Sequence, residues 1–128
     1  MCLNNWGGID HKVLEFHEYV NLFSGKSGSG KSTVMDAIQV ILYGSFSPSF
    51  LNKAADDAKN RRSVLSYLRG EQKDGSANRK DCDFCSVIAL EIEDTGTHII
   101  TCIGIAFEVR KSDSEIKKFV SLRENAGV

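Results

Sequence analysis

One run of residues stands out for the chemistry its spacing allows. Gly25-Lys26-Ser27-Gly28-Ser29-Gly30-Lys31-Ser32 matches the pattern G-x-x-x-x-G-K-[ST] at every position. The residue types suit a polyphosphate. Glycines let backbone N–H groups wrap a dense anion without side chains in the way. Lys31 offers a mobile positive charge to β- and γ-phosphates, and the Ser32 hydroxyl is a ligand for the Mg²⁺ that accompanies a nucleotide. Thr33 lies where it reaches an α-phosphate. Lys31 is accordingly the candidate catalytic residue, and Gly25 to Thr33 are the candidate binding residues for ATP and Mg²⁺.

That chemistry requires a strand before the loop and a helix after it. Tyr19-Val20-Asn21-Leu22-Phe23, rich in aromatic and branched residues, reads as the strand. A shorter strand is expected before it, through Val13, Leu14 and Phe16, with a polar break at His17-Glu18. After the loop, Val34, Ala37, Ile38, Ile41 and Leu42 fall at the i, i+3, i+4, i+7, i+8 spacing of an apolar helical stripe. Met35, Val40 and Tyr43 add apolar surface on its other sides, so the helix is expected to be buried on much of its circumference. Gly44 stops it, and Ser45-Phe46-Ser47-Pro48-Ser49 is a turn. A polar, insertion-like segment follows at about 45–83, with a short helix at 63–68 and most of its charges on a solvated face. Period two then takes over. Ile88, Leu90 and Ile92 share one face of a strand, Asp94-Thr95-Gly96-Thr97 is a hairpin turn, and Ile99, Thr101, Ile103, Ile105, Phe107 and Val109 line the return strand. One or two helical turns are expected around 116–122.

Hydrolysis needs more than the loop. Val87-Ile88-Ala89-Leu90-Glu91 imitates an apolar strand ending in a magnesium-binding acid, but Glu stands where Asp is expected and the alternation turns Glu91 to solvent. It reads as a hairpin strand. A GTPase is disfavoured: there is no D-x-x-G, and Asn52-Lys53-Ala54-Ala55-Asp56 misses the N-K-x-D guanine reader by one residue. Cys82-Asp83-Phe84-Cys85 is a C-x-x-C pair without the second pair that a structural zinc site needs; with Cys2 and Cys102 it reads as reduced thiols. His11, His17 and His98 receive no chemistry.

Composition bounds these readings. The 128 residues are 41% hydrophobic and 26% charged, with 16 Lys and Arg against 17 Asp and Glu for a net charge of -1. That length fits one domain spanning 1–128. The charge balance excludes a chain built mainly to neutralise phosphates. Apolar runs fall far short of the roughly 20 residues of a bilayer span, and the first residues carry no secretory signal. A cytoplasmic location and no membrane partner are expected.

Gly28-Ser29-Gly30-Lys31-Ser32-Thr33, followed by Met35-Asp36-Ala37-Ile38-Gln39, resembles the start of an SMC-type head (structural maintenance of chromosomes), an ATPase family related to ABC transporters. Leu3-Asn4-Asn5-Trp6, Leu14-Glu15-Phe16 and Val20-Asn21-Leu22-Phe23-Ser24-Gly25 fit the same opening. Phe50-Leu51-Asn52-Lys53-Ala54 and Arg62-Ser63-Val64-Leu65-Ser66-Tyr67-Leu68-Arg69-Gly70-Glu71 resemble the SbcC/MukB-like component of Wadjet-type condensins. The resemblance covers roughly residues 3 to 110. It implies an α/β fold, the N-terminal lobe of a P-loop NTPase head of ABC/SMC type, with a mixed sheet and an antiparallel hairpin portion around the P-loop helix. It further implies a C-terminal lobe carrying the signature motif and Walker B, a second head that sandwiches ATP, kleisin-type subunits and DNA as partners. Arg62 or Arg69 would then reach toward ATP or DNA. For the family's Q-loop the candidates are Gln39 and Gln72. No signature motif or Walker B is visible in the sequence, so the chain alone is expected to bind ATP without completing hydrolysis. Two other classes stay open: a self-contained small P-loop kinase or NTPase, and a metal-binding module built on Cys82 and Cys85.

Overall fold

The computed structural model describes residues 1–44, 63–72 and 74–127. Five strands form one sheet in the order β2-β1-β3-β4-β5. They are β1 (Cys2–Trp6), β2 (Ile9–Val13), β3 (Phe84–Asp94), β4 (Ile99–Val109) and β5 (Lys118–Gly127); the helices are α1 (Lys31–Tyr43) and α2 (Val64–Arg69). All four strand pairings are antiparallel.

The alternation expected of the central hairpin holds. β3 and β4 pair from Phe84↔Val109 to Asp94↔Ile99. Asp94 Oδ1 accepts the N–H groups of Gly96 and Thr97 at 2.8 and 3.1 Å and so closes the turn. The carboxyl titrates below its ordinary range because those two N–H groups favour its charged form. Ile88, Leu90, Ile105, Phe107 and Val109 are buried together with Leu3 and Trp6 of β1. The register Leu3↔Ile88 sets Leu3 and the buried residues of β3 and β4 on one face of the sheet. Against that face lie α1, which packs on β3 and β4, and α2, which packs on β1.

Helix α1 occupies the expected place, and Gly44 ends it in a left-handed conformation, φ 62°, with its N–H on Val40 O at 2.9 Å. Its buried stripe is Val34, Ala37, Val40 and Ile41 with Asp36. Of the apolar residues expected on its other sides Val40 is buried, while Met35 and Tyr43 are exposed, as is Leu42 of the expected stripe, because the sheet covers one side of the helix. Helix α2 is capped by the Ser63 hydroxyl, which accepts from Ser66 N at 3.2 Å.

Four further expectations are corrected. The segment before the loop, 19–23, is not a strand; Tyr19, Val20 and Leu22 are 87%, 77% and 88% exposed. Its residue types favour a strand, but no other described segment runs beside it to supply a ladder. The expected parallel portion of the sheet accordingly has no counterpart among the described residues, and the earlier strand falls at 9–13 rather than at 13–16. The tail at 116–122 is not helical. From Lys118 onward it pairs with β4 over ten residues, Glu108↔Lys118 to Ile99↔Gly127, a non-local bond pattern that overrides weak local propensity. Among the charges of the polar segment, most of them expected on a solvated face, Arg79 is buried. The expected turn at 45–49, Lys53 and Arg62 lie outside the described residues.

Candidate functional site

The run 25–32 forms a loop that leads into the first two residues of α1. Gly28 and Gly30 have φ of 83° and 96°, left-handed conformations in which a side chain is strained. At Gly25 a Cβ would lie 2.6 Å from Ser29 Oγ, so a side chain there would displace the serine hydroxyl. Lys31 folds back over the loop. Its ammonium donates to Gly25 O at 2.6 Å, to Lys26 O at 2.9 Å and to Ser29 Oγ at 3.3 Å, while Ser29 N donates to Lys26 O at 3.1 Å.

The helix end that faces the loop suits an anion. Gly30 is the N-cap of α1, no side chain caps it, and no acidic residue stands in the first turn. The first N–H groups and the positive end of the helix dipole are therefore not neutralised locally. Lys26, Ser27, Gly28, Ser29 and Ser32 are exposed, while Gly30, Lys31 and Thr33 are half-buried. The nine residues singled out for ATP and Mg²⁺ thus share one exposed loop and one helix start. The chemistry of the set fits a Mg²⁺-nucleotide: backbone donors and an ammonium for phosphates, hydroxyls of Ser32 and Thr33 for metal and phosphate oxygens.

What holds this helix end in place was not legible as a motif. Trp6 Nε1 donates to Thr33 O at 2.8 Å. The Trp6 ring stacks on Tyr67 with centroids 4.9 Å apart and planes 7° from parallel. The Tyr67 hydroxyl in turn donates to Asp36 Oδ2, and Asp36 is 3% exposed. Gly7, in the β1–β2 turn, sends its N–H to Tyr67 O at 2.7 Å. Arg79 completes the junction. Its Nε donates to Leu68 O at 2.7 Å, Nη2 to Gly7 O, and Nη1 to Asp10 Oδ1 at 3.1 Å. Burial lowers the Arg79 pKa, opposed by the Asp10 carboxylate. One signal for this network was present in the sequence: Asp36 is a carboxylate within an apolar helical stripe, which needs a donor once buried.

The remaining candidates are placed as follows. Arg69 Nη2 donates to Asp113 O at 2.5 Å and, at 3.3 Å, to Arg110 O and Lys111 O, so its guanidinium ties α2 to the connection between β4 and β5. Glu91 is exposed on β3 opposite Cys102. Cys82 and Cys85 are free and exposed, and Cys2 and Cys102 are free and half-buried. Among the described residues no group of three or more His, Cys, Asp or Glu gathers to hold a metal. His11 pairs with Asn4 Oδ1, and His98 lies 3.5 Å from Glu93. Gln39 is half-buried in α1 and Gln72 exposed after α2. No helix among the described residues is long and apolar enough to cross a membrane.

Comparison with known proteins agrees with this geometry. Residues 1–58 match the family described as the P-loop containing region of AAA domain. Among curated proteins, the SbcC component of the nuclease SbcCD from Staphylococcus haemolyticus (strain JCSC1435) is 33% identical over 72 residues, which is 53% of this chain. The chain spans 6% of that relative's length. Residues 1–58 are thus similar to a P-loop containing region of AAA type, and the chain is similar to part of an SbcC protein.

Proposed function

We propose that this chain is the ATP·Mg²⁺-binding N-terminal lobe of an SMC-like head, of the SbcC/MukB type found in Wadjet-like condensins. The observation that carries the reading is the loop 25–32 seated on the uncapped start of α1, with Lys31 poised over it. In this reading the loop N–H groups and Lys31 hold the phosphates, Ser32 holds the metal and Thr33 the α-phosphate. The exposed apolar side chains of 19–23 support the further step that strands of a C-terminal lobe lie alongside that segment. ATP would then clamp two heads together, with kleisin-type subunits and DNA as partners in a larger assembly acting in chromosome maintenance, repair or plasmid defence. Arg62 and Arg69 are the candidate contacts to DNA or nucleotide.

The experiment is thermal unfolding with and without ATP or ADP and Mg²⁺. At a hundredfold excess over Kd, ligand linkage contributes about 2.7 kcal/mol, several degrees in a chain of this size. Lys31→Ala should abolish the shift, and equal shifts in both proteins remove the assignment. Turnover by the chain alone should stay at background. Robust turnover lost in Lys31→Ala favours the self-contained kinase or NTPase. Weak, salt-sensitive DNA binding should fall on charge reversal at Arg61, Arg62 and Arg69; unchanged affinity removes that part.

A further inference from the structure

The far edge of the sheet carries an observation that the nucleotide loop does not use. β5 is ten residues long and, among the described residues, pairs with β4 on one side only. It contains no proline, and its register with β4 runs unbroken from Lys118 to Gly127. Natural edge strands are usually shortened, bulged or interrupted to prevent pairing with another chain. This one is not, and residues 118–125 are exposed. Its charges do not shield it either. Lys118 is drawn onto Glu108 of the neighbouring strand at 2.8 Å. The side chains of Arg123 and Glu124 have no hydrogen-bond or ion-pair partner among the described residues.

We infer that β5 is a self-association edge, on which two copies of this chain pair their β5 strands antiparallel about Ser121 and join two five-stranded sheets across a two-fold axis. The sequence of the strand selects that register. With Ser121 opposite Ser121, Lys118 meets Glu124 of the other copy, Phe119 meets Arg123, and Val120 meets Leu122. The charge pair Lys118–Glu124 and the apolar pair Val120–Leu122 each occur twice, once on each side of the axis, and directly opposed residues of these kinds stabilise antiparallel strands. Neighbouring registers that keep the same faces together lose this match. Centring on Val120 sets Lys117 against Arg123, and centring on Arg123 sets two arginines against each other. Centring on Leu122 opposes Glu124 to Val120. On the outer face Val120 and Leu122 stand beside Ala106 and Gly104 of β4, small residues that leave room for the partner's larger side chains. The pairing is isologous, as a two-fold axis requires.

The inference is independent of nucleotide, so its test is the oligomeric state of the chain without ligand. Sedimentation equilibrium should show a reversible dimer below about 1 mM. Glu124→Lys and Lys118→Glu should each weaken it about tenfold or more, because each turns two attractive pairs into two repulsive ones. Mixing the two variants should restore the dimer, since every charged position then faces its opposite. Lys31→Ala should dimerise like the wild type. A wild type that stays monomeric over the whole range overturns the inference, as does a dimer indifferent to both charge reversals. Folded variants that remain monomeric when mixed also overturn it.

Discussion

Gly7 is where the β1–β2 turn meets the start of α1, and replacing it with alanine tests the junction directly. Gly7 is buried with φ 58°, and an added Cβ would lie 2.6 Å from Thr33 Cγ2. Two separable costs follow. Holding an alanine in the left-handed region costs about 1–2 kcal/mol, and forcing a methyl into a filled site costs about 1–3 kcal/mol. Gly7→Ala should therefore destabilise the chain by about 2–5 kcal/mol. Thr33→Ser deletes the methyl that the new Cβ strikes while keeping the hydroxyl and the carbonyl that accepts from Trp6 Nε1. The double variant should recover about 1–3 kcal/mol of the loss, a favourable coupling between neighbours, and retain only the backbone cost. Urea unfolding read by the fluorescence of Trp6, the single tryptophan, measures this as a shift in midpoint at constant slope. If Gly7→Ala costs less than about 1 kcal/mol, or if Thr33→Ser adds to the loss instead of relieving it, the reasoning about this contact fails. Because the contact lies at the helix start, nucleotide affinity should fall in Gly7→Ala and recover in the double variant.

Arg79→Ala leaves the carbonyls of Leu68 and Gly7 without their guanidinium donor and should cost about 2–4 kcal/mol. Asp10→Ala should cost less than about 1 kcal/mol, because the Asp10 side chain is 85% exposed; the same unfolding assay ranks the two, and the reverse order refutes a structural role for the buried arginine. Tyr67→Phe withdraws a donor from the buried Asp36 carboxylate and should cost about 1.5–3 kcal/mol, measured the same way. Asp83, Asp94 and Glu108 all titrate below their ordinary values. The leading causes are the Lys111 N–H for Asp83, the Thr97 N–H for Asp94 and the Lys118 ammonium for Glu108. A depressed carboxylate stabilises above its unfolded pKa and loses that contribution as pH falls through its folded value. Stability should thus decline on acidification below about pH 5, and Asp83→Asn should flatten that decline in pH-dependent melting.

What could be read from residues alone follows the range of the forces involved. α1 and the β3–β4 hairpin were legible because a 3.6-residue period, a stop glycine and an Asp-x-Gly turn act within a few positions. The loop 25–32 was legible for the same reason, its chemistry being compact in sequence. β5 was not: Phe119, Ser121, Arg123 and Asn125 alternate without an apolar signature, and only Phe107↔Phe119 and the other pairings with β4 make the segment a strand. The segment 19–23 erred the other way, since strand-forming residues do not make a strand without a neighbour. Arg79 looked like one more surface charge among many. Its burial depends on Gly7 and Leu68, which lie 72 and 11 positions away. The wiring of α1 through Trp6, Tyr67 and Asp36 is equally non-local, so the sequence named the loop proposed to hold a phosphate but not the groups that fix the helix carrying it.

The two sides of the loop are held differently, and that bears on how Lys31 should be tested. The α1 end is fixed by buried contacts from Trp6, Gly7 and Tyr67. The outer turn is fixed chiefly by the Lys31 ammonium on Gly25 O and Lys26 O, bonds exposed to water. Removing the lysine should therefore do two things, loosening the free loop and deleting the charge proposed to meet phosphate. The first effect is small: exposed hydrogen bonds contribute less than about 1 kcal/mol, so Lys31→Ala should melt close to the wild type without ligand. The second appears only with nucleotide present, where the gap between the proteins should widen by about 2.7 kcal/mol at a hundredfold excess over the wild-type Kd. The difference between the two gaps isolates the interaction of Lys31 with the phosphates. If the gap is the same with and without nucleotide, Lys31 serves only to shape its own loop.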